Sequence, residues 1–300
     1  MVDELGEVFS VRDARSAGLS DRALRRLDAP LHGTRGRYVD EPTVPWERDA
    51  AHTRRMCRAY VSVATSGFAF SHGTAAVLYG MAVPRRVEQY AGVHVAVSSG
   101  QPRRAGVTTH RLQEMDVRYV DGLPVVVPER VWLQLATTLT RDELVVAGDS
   151  LVRRKRPLST MSSITSLLTE ARGARGVRRA AAALELVRAG TDSPKETELR
   201  LMIVASGLPE PVIGHTVHHE GYWVGTPDLA YVRERIAIEY QGGGHRAEDV
   251  FEEDIARAER FRAAGWEFIQ VTKRQLRNSR SVTERIRVAL RGRGSGRAPA

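Results

Sequence analysis

Residues Thr226 to Gln241 read Thr-Pro-Asp-Leu-Ala-Tyr, then Val-Arg-Glu-Arg, then Ile-Ala-Ile-Glu-Tyr-Gln. With period two this is a strand, a tight turn and a second strand. Successive strand side chains point to opposite faces, so Ile236, Ile238 and Tyr240 share one face and Ala237, Glu239 and Gln241 the other. A charge on so apolar a strand is costly unless it is paired or bound to a cation. In an antiparallel hairpin Asp228 falls close to Glu239. Two carboxylates converging at the end of a small sheet suit a hard cation such as Mg²⁺ held against phosphates. The plainer alternative is an Asp that starts a strand after Pro227 and a Glu on a solvated face.

Upstream, Ser193 opens a helix with Pro194 at its first position and Glu196 three residues after the cap, the pattern of a capping box. The helix is predicted to run to Ser206 and stop at Gly207, with Leu199, Met202 and Ile203 facing inward. Glu196 lies at the rim of that buried face, so capping and reaching a metal are compatible. Val212 to Val217 is predicted as a strand, followed by a hairpin around Glu220-Gly221. Downstream, Gly242-Gly243-Gly244 is a loop in which the backbone can approach a ligand closely, and His245 ends it. Asp249 to Ala264 has the spacing of an amphipathic helix, with Asp254 and Arg257 placed to pair three residues apart. Gly265 stops it, Trp266 to Thr272 is a strand, and Ser281 begins a last helix. From Arg291 the Gly- and Arg-rich tail is expected to be disordered.

The order is helix, three strands, helix, strand, helix, with carboxylates on the first helix and on strands two and three. The motifs are Ser-Pro-Lys-Glu-Thr-Glu-Leu-Arg-Leu from Ser193, Pro-Asp-Leu-Ala-Tyr from Pro227, and Ile-Glu-Tyr-Gln-Gly from Ile238. His245, Asp254-Ile-Ala-Arg257 and Gly265-Trp266 follow. Ser193 to Leu290 thereby resembles the PD-(D/E)XK nuclease core and, within it, the Vsr-like group related to very-short-patch-repair endonucleases. The resemblance implies an α-β-β-β-α-β core that hydrolyses a DNA phosphodiester with Mg²⁺ or Mn²⁺. It implies Asp228 as the central metal ligand, Glu239 as the second carboxylate, and Glu196 on the metal or a metal-bound water. His245 would assist proton transfer or hold a phosphate. Asp254 and Arg257 would support the site or bind phosphate. Gln241 stands where the family has Lys. Glutamine carries no charge and cannot take a proton, so at most it orients water. Related sequences often have paired histidines where this chain has Gly244-His245. A fold can also outlive its activity.

Composition sets the outer bounds. The chain has 300 residues, 42% of them hydrophobic and 6% aromatic, enough for two or three domains with real cores. The formal charge of +9, carried mainly by arginine, favours an anionic partner, with nucleic acid first. Cys57 is the one cysteine, which excludes a disulfide framework and a Cys-based zinc site. Asp3, Glu4 and Glu7 without a long apolar run argue against a signal peptide. No segment reaches membrane-spanning length, so a cytoplasmic protein is expected.

At the start, Ser10 caps a helix over Val11 to Ala17, Gly18 stops it, and Ser20 caps a second helix over Asp21 to Asp28. His32 to Val39 then reads as a hairpin tip running into a strand. Helix, tight turn, helix and basic wing make the winged helix-turn-helix pattern. Arg22, Arg25 and Arg26 on the second helix and Arg35 and Arg37 on the wing are placed to meet phosphates and base edges. The run from Phe9 to Leu27 resembles the N-terminal domain of AbiEi-type antitoxins. That resemblance implies a DNA-binding repressor of a type IV toxin–antitoxin system, with a cognate toxin as a partner.

Between the two ends, helices are predicted over Trp46 to Val63, Phe70 to Gly80, Val131 to Leu139 and Asp142 to Val152, and strands over Val93 to Val97, Gly106 to Arg111 and Leu123 to Val127. Arg153 to Arg156 reads as an exposed helix end. His72 and His110 have no ligand set near them in sequence and are expected to be structural.

The expected organisation is therefore α/β and multidomain: a winged helix at 1–45, a mixed α/β domain at 46–189, the nuclease core at 190–290 and a basic tail at 291–300. The leading functional expectation is a metal-dependent DNA endonuclease targeted by its winged helix. The alternative is a non-enzymatic DNA-binding regulator with a degenerate nuclease fold. Oligomeric state is open.

Overall fold

The computed structural model describes residues 5–31, 33–36, 45–64, 67–89, 92–100, 104–242 and 248–294, and within these not the side chains of 45–49, 248–252, 254 and 294. The chain is mixed α/β and divides into two compact units, 1–151 with 158–186, and 152–157 with 187–300. No helix among the described residues is long and apolar enough to cross a membrane.

The first unit begins with β1 (Val8–Ser10), α1 (Val11–Ser16), α2 (Asp21–Leu24) and β2 (Thr34–Gly36). Both caps expected from the sequence form: the Ser10 hydroxyl accepts the Asp13 N–H, and the Ser20 hydroxyl accepts the Ala23 N–H. Phe9, Ala14 and Leu24 form a small core beneath them. β1 and β2 pair antiparallel, Val8 opposite Gly36. Helix α2 stops at Leu24 rather than Asp28, because the Asp28 backbone is taken by Gly36, donating to it at 3.2 Å and accepting from it at 2.9 Å. Strand pairing outcompetes a last helical turn here.

Then come α3 (Pro45–Val61), β3 (Phe68–Phe70), α4 (His72–Tyr79), α5 (Arg85–Glu88), β4 (Val93–Val97) and β5 (Val107–Arg111). β6 (Val117–Val120), β7 (Leu123–Val126), α6 (Pro128–Leu135), α7 (Arg141–Leu151), α8 (Met161–Glu170) and α9 (Val177–Leu184) complete the unit. The five strands form one mixed sheet in the order β5-β4-β3-β7-β6. Phe70 belongs to the central strand, so the helix expected from Phe70 begins instead at His72. Gly80, at φ 63°, ends it in the left-handed conformation that glycine adopts most readily. Phe70, Trp132, Leu135 and Leu144 are fully buried in the core of this unit. The Trp132 indole N–H donates to the Leu144 carbonyl at 2.8 Å, so this large ring leaves no buried donor unmet.

The second unit runs α10 (Pro194–Ala205), β8 (Val212–Ile213), β9 (Val217–His219), β10 (Tyr222–Gly225), β11 (Leu229–Tyr231) and β12 (Ile236–Gln241). It continues with α11 (Glu248–Ala263), β13 (Glu267–Thr272), α12 (Lys273–Arg277) and α13 (Ser279–Gly294). Its main sheet has the order β13-β12-β11-β8. β11 and β12 form the antiparallel hairpin read from the sequence, with Leu229 opposite Ile238. β13 returns parallel to β12 after the α11 crossover.

The alternation on β12 separates two cores. Ile236 and Ile238 pack with Leu199, Ile203, Val282 and Ile286, on the side of α10 and α13. Ala237 and Ala230 pack with Phe261, Ala264 and Trp266, on the side of α11.

Two expectations change. The strand predicted over Val212 to Val217 is split, since Gly214 turns at φ 58° and donates to the Asp228 carbonyl at 3.0 Å. Val217 onward then pairs with β10 in a separate two-stranded sheet. The last helix continues through Arg291 to Gly294, inside the segment expected to be disordered.

Candidate functional site

The hairpin register sets the site. With Leu229 opposite Ile238, the next pair outward is Asp228 and Glu239, on the α11 face of the sheet. Asp228 Oδ2 accepts the Tyr240 N–H at 2.8 Å, so a side chain takes over the ladder where the backbone pairing ends. Burial pushes the Asp228 carboxyl up to about 7, and the charge of Glu196 adds to this. Glu239 raises it further, while the Tyr240 N–H and Arg257 act in the opposite sense. A carboxyl so placed is poised between neutral and ionised near neutral pH.

Glu239, only 15% exposed, is paired with Arg257 of α11, whose Nε lies 2.7 Å from Oε1. The same guanidinium donates to the Thr226 carbonyl at 2.8 Å and sits 5.7 Å from the centre of the Phe261 ring. Arg257 thus ties the start of the hairpin to its end. Sequence spacing offered Asp254 as its partner; Glu239 is the one observed, and the Asp254 side chain lies outside the described residues.

Glu196 comes from the first turn of α10. Its N–H donates to the Ser193 hydroxyl at 3.2 Å, and its Oε2 accepts the Asp192 N–H at 2.9 Å. The capping motif therefore reaches one residue further out than a capping box, to Asp192. Asp192 in turn accepts from Arg154 Nε at 2.9 Å. Among the described residues no three His, Cys, Asp or Glu side chains gather as a ready-made cation shell, so the three-carboxylate set expected from the sequence is not preassembled. Asp228 and Glu239 form its buried part, with Glu196 close enough to act on Asp228 while held by its helix cap.

Gln241 ends β12 half-buried, opposite Thr272 of β13. His245 and Arg37 lie outside the described residues. Arg22, Arg25 and Arg26 are exposed at and beside α2. Arg35 is half-buried and turned inward, donating from Nε to the Leu24 carbonyl at 2.9 Å and from Nη1 to the Thr34 carbonyl at 2.8 Å. Its guanidinium holds β2 against α2.

The structure brings the histidines of the first unit together. His72 and His110 do not stand alone: their rings stack with centroids 3.6 Å apart, and His94 Nδ1 lies 2.9 Å from His110 Nε2. Burial lowers all three, His72 to about 3 and His94 to about 4, and the histidine neighbours add to the shift of those two. The sequence carried no local signal for this cluster, because β4 and β5 meet through a parallel register that sets Ala96 opposite His110. Arg154 and Asp192 were also missed as supports of Glu196; the basic run at 153–156 gave no sign of that contact.

The chain is similar to two uncharacterized proteins of Mycobacterium tuberculosis, MT2308 of strain CDC 1551 / Oshkosh and Rv2248 of strain H37Rv. Each is 26% identical over 201 residues, a span of 66% of this chain and 72% of the relative. No family model and no solved structure matches the chain.

Proposed function

We propose that the second unit is a metal-dependent DNA endonuclease core of the PD-(D/E)XK, Vsr-like kind, and that the first forty-five residues are a winged helix-turn-helix that brings it to DNA. One observation supports this most: Asp228 faces Glu239 across a hairpin end, with Glu196 acting on it, and is pushed up to about 7. Arg257 offsets one carboxylate, and negative charge is left over. That donor set fits a small divalent cation. Mg²⁺ typically takes one or two protein carboxylates and leaves its other positions to water and substrate phosphates. Asp228 and Glu239 would hold it, and Glu196 could stay on its cap. Bound there, such an ion polarises a phosphoryl oxygen and lowers the pKa of a water.

The remaining work belongs to the chain itself. The Tyr240 N–H fixes which Asp228 oxygen is engaged. Arg257 holds the Glu239 carboxylate in one orientation. Gln241, beyond Glu239 on the same face, supplies a neutral amide to orient water, without taking a proton. Upstream, the capped helices α1 and α2 and the β1–β2 pair agree with a winged-helix layout, and the exposed Arg22, Arg25 and Arg26 are placed to meet phosphate. Arg35 has the role of a fastener.

A specific observation favours a second reading. Glu239 is already neutralised by Arg257, Glu196 is engaged as a cap, and Gln241 replaces a charged residue. A DNA-binding regulator of the antitoxin kind, with a nuclease fold that no longer cuts, would look like this. Purified protein incubated with supercoiled plasmid and Mg²⁺ or Mn²⁺ separates the two. Nicking that disappears in Asp228→Asn and Glu239→Gln establishes the nuclease. Salt-sensitive DNA binding with no cleavage by either metal on varied DNA establishes the regulator.

A further inference from the structure

From the turn after α8 into the first turn of α9 the chain reads Arg172-Gly-Ala-Arg-Gly-Val-Arg-Arg179. It lines a pocket of about 780 Å³ within the first unit. The loop is anchored from behind. Gly176 turns at φ 87°, and a Cβ there would meet the Ala136 Cβ at 3.1 Å, so the backbone lies directly against the end of α6. Arg179 donates from Nη1 to the carbonyls of Ala136 and Leu139, at 2.8 and 2.9 Å, filling acceptors that α6 and the turn after it leave open.

Arg172, Arg175 and Arg178 differ from their neighbours. All three are exposed, all three line the pocket, and no carboxylate among the described residues pairs with any of them. Elsewhere in this unit Arg54, Arg55, Arg86 and Arg141 each have an acidic partner. The first turn of α9 contains no acidic residue and its cap supplies no side-chain acceptor. The pocket is therefore an uncompensated positive site on a braced loop.

We infer that this pocket binds the phosphodiester backbone of DNA, as a contact separate from the residues near α2. Guanidinium groups match phosphate oxygens in a fixed fork. The lining holds no aromatic ring on which a base could stack and no large apolar anchor of the kind that dominates protein interfaces. What remains is recognition of phosphate without regard to sequence. The choice of partner rests on the DNA-acting reading above.

The test uses the full chain in EDTA, so that binding is read without cleavage. Fluorescence anisotropy of a labelled duplex over a series of NaCl concentrations gives the slope of log K against log salt. Each phosphate neutralised on duplex DNA contributes about 0.9 to that slope. The triple variant R172Q/R175Q/R178Q is expected to lose about 2 to 3 from the slope while keeping the wild-type circular dichroism, and the triple lysine variant to restore most of it. An unchanged slope in the glutamine variant overturns the inference, as does a wild-type chain that binds no duplex at any salt. Wild-type protein that binds with this slope but cuts nothing ends the nuclease reading and leaves the pocket standing.

Discussion

In the first unit three imidazoles lie together; in the second, Glu196 and Glu239 both act on Asp228 near the end of a hairpin. His72, His94 and His110 stack, His94 and His110 are hydrogen-bonded, and the lowered pKa values leave all three uncharged at pH 7. The cluster needs no counter-ion. Asp228 is pushed the other way, to about 7, so at neutral pH it lies midway between forms with only part of the surrounding charge balanced by Arg257. Like groups crowded together repel only while charged. At physiological pH the imidazoles have escaped that repulsion by staying neutral, whereas Asp228 has done so only in part. On the proposed nuclease reading the second cluster is the one that would gain from a cation, and the first has no such need.

The strongest way to break this contrast is to remove the acid. Asp228→Asn keeps the shape and an acceptor for the Tyr240 N–H but removes the charge. Cleavage of plasmid with Mg²⁺ or Mn²⁺ is expected to fall by well over about a hundredfold, since supporting partners of a metal ligand alone are worth about 10–100-fold. In the same assay His72→Asn is expected to stay within about twofold of wild type; asparagine tolerates the left-handed backbone found there, at φ 49°. Comparable losses in both variants would erase the distinction between the clusters.

The second test is pH, and the two units carry opposite signs. Histidines whose folded pKa is below the unfolded value of about 6.5 contribute full stability above that value and lose it as pH falls towards 3. Asp228, raised from 3.8 to about 7, contributes stability that is complete below its unfolded pKa and is lost as pH rises through 7. A tenfold difference in proton affinity between the folded and unfolded states is worth at most about 1.4 kcal/mol. Thermal melts from pH 4 to 8 should therefore show the acid-side loss reduced in His72→Asn and the alkaline-side loss reduced in Asp228→Asn. Added Mg²⁺ should restore wild type above pH 7 and leave Asp228→Asn unchanged. A wild-type melt indifferent to Mg²⁺ at pH 8 would count against a cation at this site.

What could be read in the sequence follows from the range of each interaction. The two faces of β12 were legible because alternation is a property of consecutive residues, and Asp228 opposite Glu239 was legible because a short turn fixes a hairpin's register. The caps at Ser10, Ser20 and Ser193 were legible for the same local reason. The rest needed distant partners. Arg257 has Asp254 one turn away in sequence, yet it reaches Glu239 on another element. The end of α2 depended on Gly36, and the histidine cluster on a parallel pairing whose register no turn dictates. The turn at Gly214, which split an apparently continuous strand, was visible only as a single glycine within Val212 to Val217.

Arg257 gives a test of intermediate size. Arg257→Gln keeps a donor for the Thr226 carbonyl and removes the charge beside Glu239. If Arg257 orients a metal ligand, activity or metal affinity should fall by about 10–100-fold, with the metal-concentration dependence shifted upward. On the regulator reading the pair is a structural tie, and only the melting temperature should move.

The smallest expected effect reaches the same carboxylates from further away. Gly225 lies against Phe261: a Cβ there would stand 2.9 Å from Cε2 and 3.1 Å from Cζ of that ring. Phe261 is fully buried, so its ring has little room to yield, and Gly225→Ala should cost about 1–3 kcal/mol through overpacking. Phe261 is one helical turn beyond Arg257 on α11, and the guanidinium lies over its ring. A displaced ring should therefore disturb the Arg257–Glu239 pair as well as the core. The expected result is a lowered melting temperature with a several-fold loss of cleavage, both relieved when Phe261→Leu is added to make space. If the melting temperature falls but cleavage per folded molecule does not, the packing behind Arg257 has no part in holding Glu239, and the comparison between the two clusters narrows to Asp228 alone.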